Sequence, residues 1–250
     1  MLRQMMLASG MILAASLTAA VSYAADKVSA EITAAVADPG RPAADKDRDA
    51  NRKPAETLAF AGAKSGQQIV DFLPGGGYFT RIFSKIAGPK GHVTALWPAG
   101  TPDKFTERTK PVVSDPAYGN VTLVAQKVTE LPAGSVDLFF TAQNYHDLHN
   151  LPNADVPALD KAVFAALKPG GIFLVIDHAA PAGSGFQDTN TLHRVDEAAV
   201  KTEVEGAGFK LVGESDILKN PEDPHTATVF DPSIKGKTDQ FVLKFEKPKS

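Results

Sequence analysis

The sequence predicts an α/β protein built on a mostly parallel sheet with helices on both of its faces. Short apolar segments of strand length alternate with segments of helical periodicity, and parallel strands need such long crossovers and burial on both sides. Three consecutive glycines, Gly75 to Gly77, also stand between a predicted buried strand and a predicted helix. In open sheets of this class, ligands bind at such turns, outside the carboxyl ends of the strands.

Seven segments have the length and apolar content of strands. In chain order they are Gln68–Leu73, His92–Trp97, Val121–Ala125, Val136–Thr141, Ile172–Asp177, Lys210–Glu214 and Gln240–Phe245.

Three segments between the strands have the apolar spacing of helices. They are Thr80–Ile86, Asp155–Leu167 and Asp196–Ala207, and the "KPGG" of Lys168 to Gly171 is predicted to end the second of them. The polar stretch 220–239 precedes the last strand. It is predicted to be a long loop, and loops of that length are usually functional or mobile.

The first 24 residues have the pattern of a cleaved signal peptide. Arg3 is followed by the uncharged segment Met5–Val21 and by small residues at Ser22 and Ala24. An uncleaved membrane anchor is the alternative, but the alanine, serine and glycine residues of Met5–Val21 make that segment weakly hydrophobic. The chain has no cysteine, which excludes a lipoprotein anchor and disulfides. We expect a soluble periplasmic protein with no stable membrane association after cleavage.

The remaining residues divide into an N-terminal arm, 25–60, and one domain, 61–250. The arm is rich in Ala, Pro and charged residues and is too poor in large apolar residues to form a core alone. We expect it to be partly helical and to lie on the domain, where Arg48, Asp49, Arg52 and Lys53 could cover a ligand entrance.

Charge excludes one class of partner. The chain has 26 basic and 29 acidic residues, a net charge of -3, and no long block of either sign. Nothing in this distribution favours nucleic acid as a partner. We expect a small-molecule substrate, and the sequence does not indicate an oligomeric state.

The glycine loop itself excludes two nucleotide-binding classes. A phosphate-binding P-loop needs GxxxxGK[ST], and the segment Gly75–Thr80 contains no lysine. A dinucleotide site needs GxGxxG and an acidic residue about 20 positions later, but the second strand ends in Trp97.

The sequence "VDFLPGGGYFT" resembles motif I of the class I S-adenosylmethionine-dependent methyltransferases, whose usual form is DxGxGxG. "GHVTAL" resembles the family's second strand, "LPAGSVDLFFTAQNYHDL" its fourth, and "ALKPGGIFLVID" its fifth. The likeness covers about residues 61–250 and is greatest to a bacterial branch of exported methyltransferases. It implies a Rossmann-like, seven-stranded fold with an antiparallel C-terminal strand, and S-adenosylmethionine as cofactor.

The resemblance also implies which residues bind the cofactor. They are Asp71, Pro74, Gly75, Gly76, Gly77 and Trp97. Two positions depart from the family pattern. Leu73 replaces the first motif glycine, and Trp97 stands where a carboxylate would accept hydrogen bonds from both ribose hydroxyls.

The residues after the fourth strand inherit the catalytic position in this family. They are Asn144, Tyr145, His146 and Asp147. Because the methyl sulfonium is already activated, the protein needs only to align the acceptor and remove a proton. His146 is the candidate base, oriented by Asp147 or Tyr145, and His193 could line the acceptor side of the site.

Two other functions are compatible with the sequence. The chain could be a methyltransferase scaffold that has lost transfer and binds a ligand in the periplasm, an interpretation favoured by Leu73, Trp97 and the signal sequence. It could also be a metal-dependent hydrolase or lyase. The metal ligands of such an enzyme would be His146, His149, Asp177 and His178. No local motif such as HExxH supports a metal, so none is assigned.

Overall fold

A computed structural model describes residues 27–249 of the chain. The proposed signal peptide, residues 1–24, lies outside the described residues. Within residues 27–249, no helix combines the length and the apolar character needed to cross a bilayer.

The strands form one seven-stranded sheet in the order β3-β2-β1-β4-β5-β7-β6. They are β1 (Gln68–Phe72), β2 (His92–Trp97), β3 (Val121–Ala125), β4 (Val136–Ala142), β5 (Leu167–His178), β6 (Lys210–Ser215) and β7 (Gln240–Glu246). Strands β1 to β5 are parallel, and β7 runs antiparallel to both β5 and β6. The predicted fold is confirmed, including the antiparallel C-terminal strand.

Helices cover both faces of this sheet. They are α1 (Ala30–Val36), α2 (Ala43–Lys46), α3 (Asp49–Arg52), α4 (Pro54–Ala61), α5 (Tyr78–Ala87), α6 (Asp103–Thr106), α7 (Lys110–Val113), α8 (Tyr145–Leu148), α9 (Val156–Ala166) and α10 (Glu197–Gly206). Short 3₁₀ turns occupy Gly88–Lys90, Pro116–Tyr118 and Val128–Glu130.

Each face of the sheet carries its own apolar core. Side chains alternate between the two faces of a strand, so Ile69 and Phe140 join the core beneath α1, α4 and α5. Their neighbours Val70 and Phe139 join the core beneath α9 and α10. Aromatic rings meet edge to face in both cores, for example Phe83 with Phe140 and Phe139 with Phe173.

The segment between α9 and the middle of β5 differs from the sequence prediction. Helix α9 ends at Ala166, but Lys168 to Gly171 form part of β5 and not a turn. The Gly170 amide donates to the Lys247 carbonyl, and the Lys247 amide donates to the Gly171 carbonyl. The chain beyond β7 therefore pairs with this segment and draws it into the sheet.

The N-terminal arm is mostly helical and lies against α5. Ile32 and Ala35 of α1 are buried in the core on that side. Ion pairs add to this contact, since Asp45 of α2 binds both Arg48 and the largely buried Arg81 of α5. The arm therefore reaches the end of the sheet where β1 leads into the glycine loop.

Candidate active site

A cavity of about 760 Å³ opens at the carboxyl ends of the parallel strands. Its wall is built by segments distant in sequence: the arm, the loops after β1, β2, β4 and β5, and the loop before β7. Its lining residues include Arg48, Arg52, Asp71, Leu73, Gly75, Gly76, Trp97, Arg108, Asn144, His146, Asp147, His178, His193 and Phe230. Pro74 lines the cavity as well.

The three loop glycines have two different roles. Gly75, with φ +59°, and Gly76 line the cavity, and a Cβ added to either would meet no protein atom within 4 Å. Gly77, with φ +79°, does not line the cavity, and its Cβ would lie 2.4 Å from Cγ2 of Val112. Gly75 and Gly76 therefore leave backbone open to a ligand, whereas Gly77 permits the close packing of α5 on α7.

Leu73 adopts the backbone conformation of the glycine that it replaces. Its φ is +56°, a region that costs a non-glycine residue about 1–2 kcal/mol. The Leu73 amide donates to the Leu96 carbonyl, and the Asn144 side-chain amide donates to the Leu73 carbonyl at 3.2 Å. Tertiary hydrogen bonds thus hold the loop in shape without a glycine at this position.

Asp71 is a buried carboxyl in the cavity wall. Burial raises the pKa of Asp71 to about 7, against the opposing effects of a hydrogen bond from the Thr80 hydroxyl and the charge of Arg52. The carboxyl is therefore poised to ionise when a cationic group binds beside it.

Trp97 forms part of the cavity wall and holds the glycine loop. Its indole N–H donates to Oγ1 of Thr109 at 3.0 Å, and that hydroxyl donates to the Gly75 carbonyl at 2.7 Å. The acidic residues that follow β2 in the chain, Asp103 and Glu107, could have replaced the missing carboxylate, but neither lines the cavity. Within residues 27–249, the carboxylates that line the cavity are Asp71 and Asp147.

His146 lies at the cavity floor, with a buried carboxylate behind it. Its Nδ1 is 2.8 Å from Oδ1 of Asp177, and its backbone N–H donates to Oδ2 of the same residue at 2.7 Å. Burial opposes protonation of His146, but the charges of Asp177 and Asp147 outweigh it and raise the pKa to about 10. At neutral pH the free imidazole is therefore cationic and donates hydrogen bonds, which is not the protonation state of a base.

Tyr145 points away from the cavity. Its hydroxyl lies 2.7 Å from Oδ2 of Asp160 and 2.8 Å from Oε2 of Glu203. Burial, together with both carboxylates, raises the pKa of Tyr145. Of the four residues predicted to be catalytic, Asn144, His146 and Asp147 line the cavity, and Tyr145 anchors α8 to α9 and α10.

The four residues of the alternative metal site, His146, His149, Asp177 and His178, do not form one ligand group among the described residues. His149 Nε2 contacts Glu203 at 2.9 Å and its ring stacks on Phe186, while His178 Nδ1 contacts Thr238 at 2.7 Å. Burial lowers the pKa of His178 to about 4, so this imidazole is neutral. A different group comes together in the described residues, formed by His146, Asp147 and His193.

Two parts of the site depend on tertiary contacts. Of the arm residues expected at a ligand entrance, Arg48 and Arg52 line the cavity, whereas Asp49 and Lys53 do not. Arg52 donates to the Gln143 side chain at 2.6 Å and packs over Tyr78. Arg194 and Asp223, both without exposed side-chain surface, form an ion pair inside the protein. That pair fixes the loop 220–239, which brings Phe230 against His193 at the cavity.

Comparisons with known proteins identify relatives of this chain. A model of the ubiE/COQ5 methyltransferase family matches residues 50–195. The ubiquinone/menaquinone biosynthesis C-methyltransferase UbiE of Vibrio cholerae is 29% identical over 177 residues, which cover 66% of this chain and 63% of that protein. A protein-L-isoaspartate O-methyltransferase of Methanococcus maripaludis is 34% identical over 122 residues, covering 49% of this chain and 50% of that one.

Among solved structures, an S-adenosylmethionine-dependent methyltransferase from Aquifex aeolicus has the same fold. It superposes with a TM-score of 0.60 and 19% identity, covering 82% of this chain and 98% of the other. The chain thus spans half to two thirds of the length of these curated relatives. The likeness to the Aquifex aeolicus structure, at 19% identity, shows a shared fold.

Proposed function

Because the chain belongs to the ubiE/COQ5 methyltransferase family, we propose that it transfers the methyl group of S-adenosylmethionine to a small acceptor bound in the cavity. Family membership supports the class of enzyme and of cofactor that the sequence predicts. The acceptor, the residues that act on it and the cellular compartment belong to the proposal.

One observation carries the proposal: the open backbone of Gly75 and Gly76 shares a single cavity with the polar group after β4. The glycine loop leads from β1 into α5, so its free amides and the helix N-terminus are available to the cofactor. The side chains of Asn144, His146 and Asp147 are available to the acceptor. A volume of about 760 Å³ is in the range of small-ligand sites.

The charges in the cavity favour an acceptor with an ionisable oxygen. Three arginines, Arg48, Arg52 and Arg108, line the cavity, against two carboxyl groups, those of Asp71 and Asp147. An acceptor oxyanion bound near these groups would be the nucleophile. Bound S-adenosylmethionine would supply the methyl group and would leave as the neutral thioether, keeping the electron pair of the broken C–S bond. His146 would hold the oxyanion in place through a hydrogen bond.

Calorimetric titration with S-adenosylmethionine and with its demethylated product tests cofactor binding. We expect both ligands to bind the wild-type protein and neither to bind Gly75→Arg, whose side chain would fill the open space beside the loop. No heat from well-folded wild-type protein at about millimolar ligand would contradict the proposal.

A binding protein without transferase activity is the competing function. The observation in its favour is Trp97, which offers an indole where the family has a carboxylate and whose N–H is already used by Thr109. Incubation with methyl-labelled S-adenosylmethionine and a panel of small hydroxylated and carboxylated compounds separates the two. Cofactor binding with no labelled product from any compound would favour the binding protein.

We also propose export to the periplasm, which the first 24 residues predict. Cleavage after Ala24 would give a mature protein that begins at Ala25. Cell fractionation followed by mass spectrometry of the intact protein measures both the compartment and the new N-terminus. A full-length protein in the cytoplasm would contradict export without affecting the proposed reaction.

A further inference from the structure

We propose that His146, Asp147 and His193 form a binding site for a divalent transition metal, best fitted by Zn²⁺, on the acceptor side of the cavity. The three ligand atoms would be Nε2 of His146, Oδ1 of Asp147 and Nδ1 of His193. These residues are suited to the metal because Zn²⁺ binds imidazole nitrogen and carboxylate oxygen. The metal site rests on the geometry of these three residues and does not depend on the methyl-transfer function proposed above.

The three atoms form a nearly equilateral triangle. His146 Nε2 lies 3.3 Å from Asp147 Oδ1 and 3.3 Å from His193 Nδ1, and the last two atoms are 3.4 Å apart. In a tetrahedral site with bonds of about 2.0–2.1 Å, neighbouring ligand atoms are separated by about 3.3–3.4 Å. The triangle therefore has the dimensions of one face of a zinc tetrahedron.

The residue behind His146 completes a pattern found at metal centres. Asp177 has no exposed side-chain surface and contacts the other imidazole nitrogen, Nδ1, at 2.8 Å. A carboxylate in this position fixes the ring orientation of a metal-binding histidine and increases the basicity of the coordinating nitrogen. Asp177 also accepts from the backbone N–H groups of His146 and His178, so its own position is fixed.

His193 is held at this place by its own loop. Its backbone is in the left-handed region, with φ +55°, and its ring packs edge to face on Phe230. The neighbouring Arg194 pairs with Asp223 inside the protein. The ligand atoms thus come from helix α8 and from the loop that carries His193, which are anchored separately, so the site would be formed before the metal binds.

The fourth tetrahedral position would be open to the cavity, since all three residues line it. A protein site with three ligands and an open position binds a water molecule or an oxygen atom of a substrate. Binding of the acceptor to the metal would rest on the proposed function, and it predicts an acceptor with a hydroxyl or carboxylate oxygen.

The test uses Co²⁺ alone as a probe, added to full-length protein that has been treated with a chelator. We expect one equivalent to bind and to give the intense visible absorption of tetrahedral cobalt. His193→Asn should reduce the affinity at least tenfold, because Asn tolerates a positive φ but is a poor ligand for this metal. Asp177→Asn should reduce it by about 10- to 100-fold.

The matched control is His92→Gln, which removes a partly exposed histidine at the start of β2, outside the cavity. It should bind Co²⁺ as the wild type does. No stoichiometric binding by the wild type, or equal affinity in wild type and His193→Asn, would overturn the site. Calorimetry of the metal-free protein with S-adenosylmethionine measures the cofactor separately, so that failure of one proposal leaves the other intact.

Discussion

Replacing Gly76 by alanine separates ligand binding from folding in the glycine loop. Gly76 has an ordinary φ, and the added methyl group would meet no protein atom within 4 Å. The free energy of unfolding should therefore stay unchanged or rise by up to about 1 kcal/mol, since alanine restricts the unfolded chain more than glycine does. The methyl group would instead occupy cavity space. Overpacking of this kind costs about 1–3 kcal/mol, which corresponds to a roughly 5- to 150-fold weaker Kd for S-adenosylmethionine.

Urea unfolding and calorimetric titration of the same protein samples measure the two effects. Gly77→Ala is the matched control, because its Cβ would lie 2.4 Å from Val112 and its φ of +79° is unfavourable for alanine. That variant should be destabilised by about 1–3 kcal/mol. Unchanged affinity in Gly76→Ala would refute the assignment of this backbone to the cofactor. A loss of stability as large as that of Gly77→Ala would refute the loop geometry.

Three further results are expected. Leu73→Gly should be more stable than Leu73→Ala by about 1 kcal/mol in urea unfolding, because φ is +56°; the reverse order would contradict the left-handed backbone. The raised pKa of Asp71 means that the folded state binds this proton more tightly than the unfolded state. The protonated Asp71 carboxyl therefore contributes fully to the free energy of unfolding below about pH 4. This contribution, at most about 4 kcal/mol, is lost as the pH rises to about 7. Asp71→Asn should flatten that part of the pH profile, and an unchanged profile would exclude the shift. Trp97→Phe should cost about 1 kcal/mol by removing the indole donor to Thr109, and unchanged thermal and urea unfolding would show that this hydrogen bond contributes nothing.

Local hydrophobic pattern predicted most of the sheet. Strand β2 (His92–Trp97) and strand β3 (Val121–Ala125) have the predicted bounds, because each is a short apolar run with polar or turn residues at its ends. The start of β5 could not be predicted in this way. Lys168 to Gly171 have the local preference of a turn, and only pairing with Lys247, nearly 80 residues later, makes them a strand.

The positions of the polar site residues in the chain could be predicted from the sequence, but their hydrogen-bond partners could not. His146 and His149 stand three residues apart in "NYHDLH", and no local feature shows which of them faces the cavity. Glu203 of α10 binds His149, whereas Asp177 of β5 binds His146. The third residue of the group, His193, reaches the cavity through a loop fixed by Arg194 and Asp223. Contacts of this kind depend on the tertiary structure and leave no periodic signal in the sequence.

The two departures from motif I affect the cavity differently. Leu73 changes the residue but not the shape of the loop, because its backbone keeps a glycine-like φ and two hydrogen bonds fix its amide and carbonyl. Trp97 removes a chemical group that the described residues do not replace, since the carboxylates at the cavity are Asp71 and Asp147. Each charge-assisted hydrogen bond that is lost is worth about 1.5–3 kcal/mol. Any weakness in cofactor affinity is therefore expected at the ribose, while the loop that binds the rest of the cofactor stays intact.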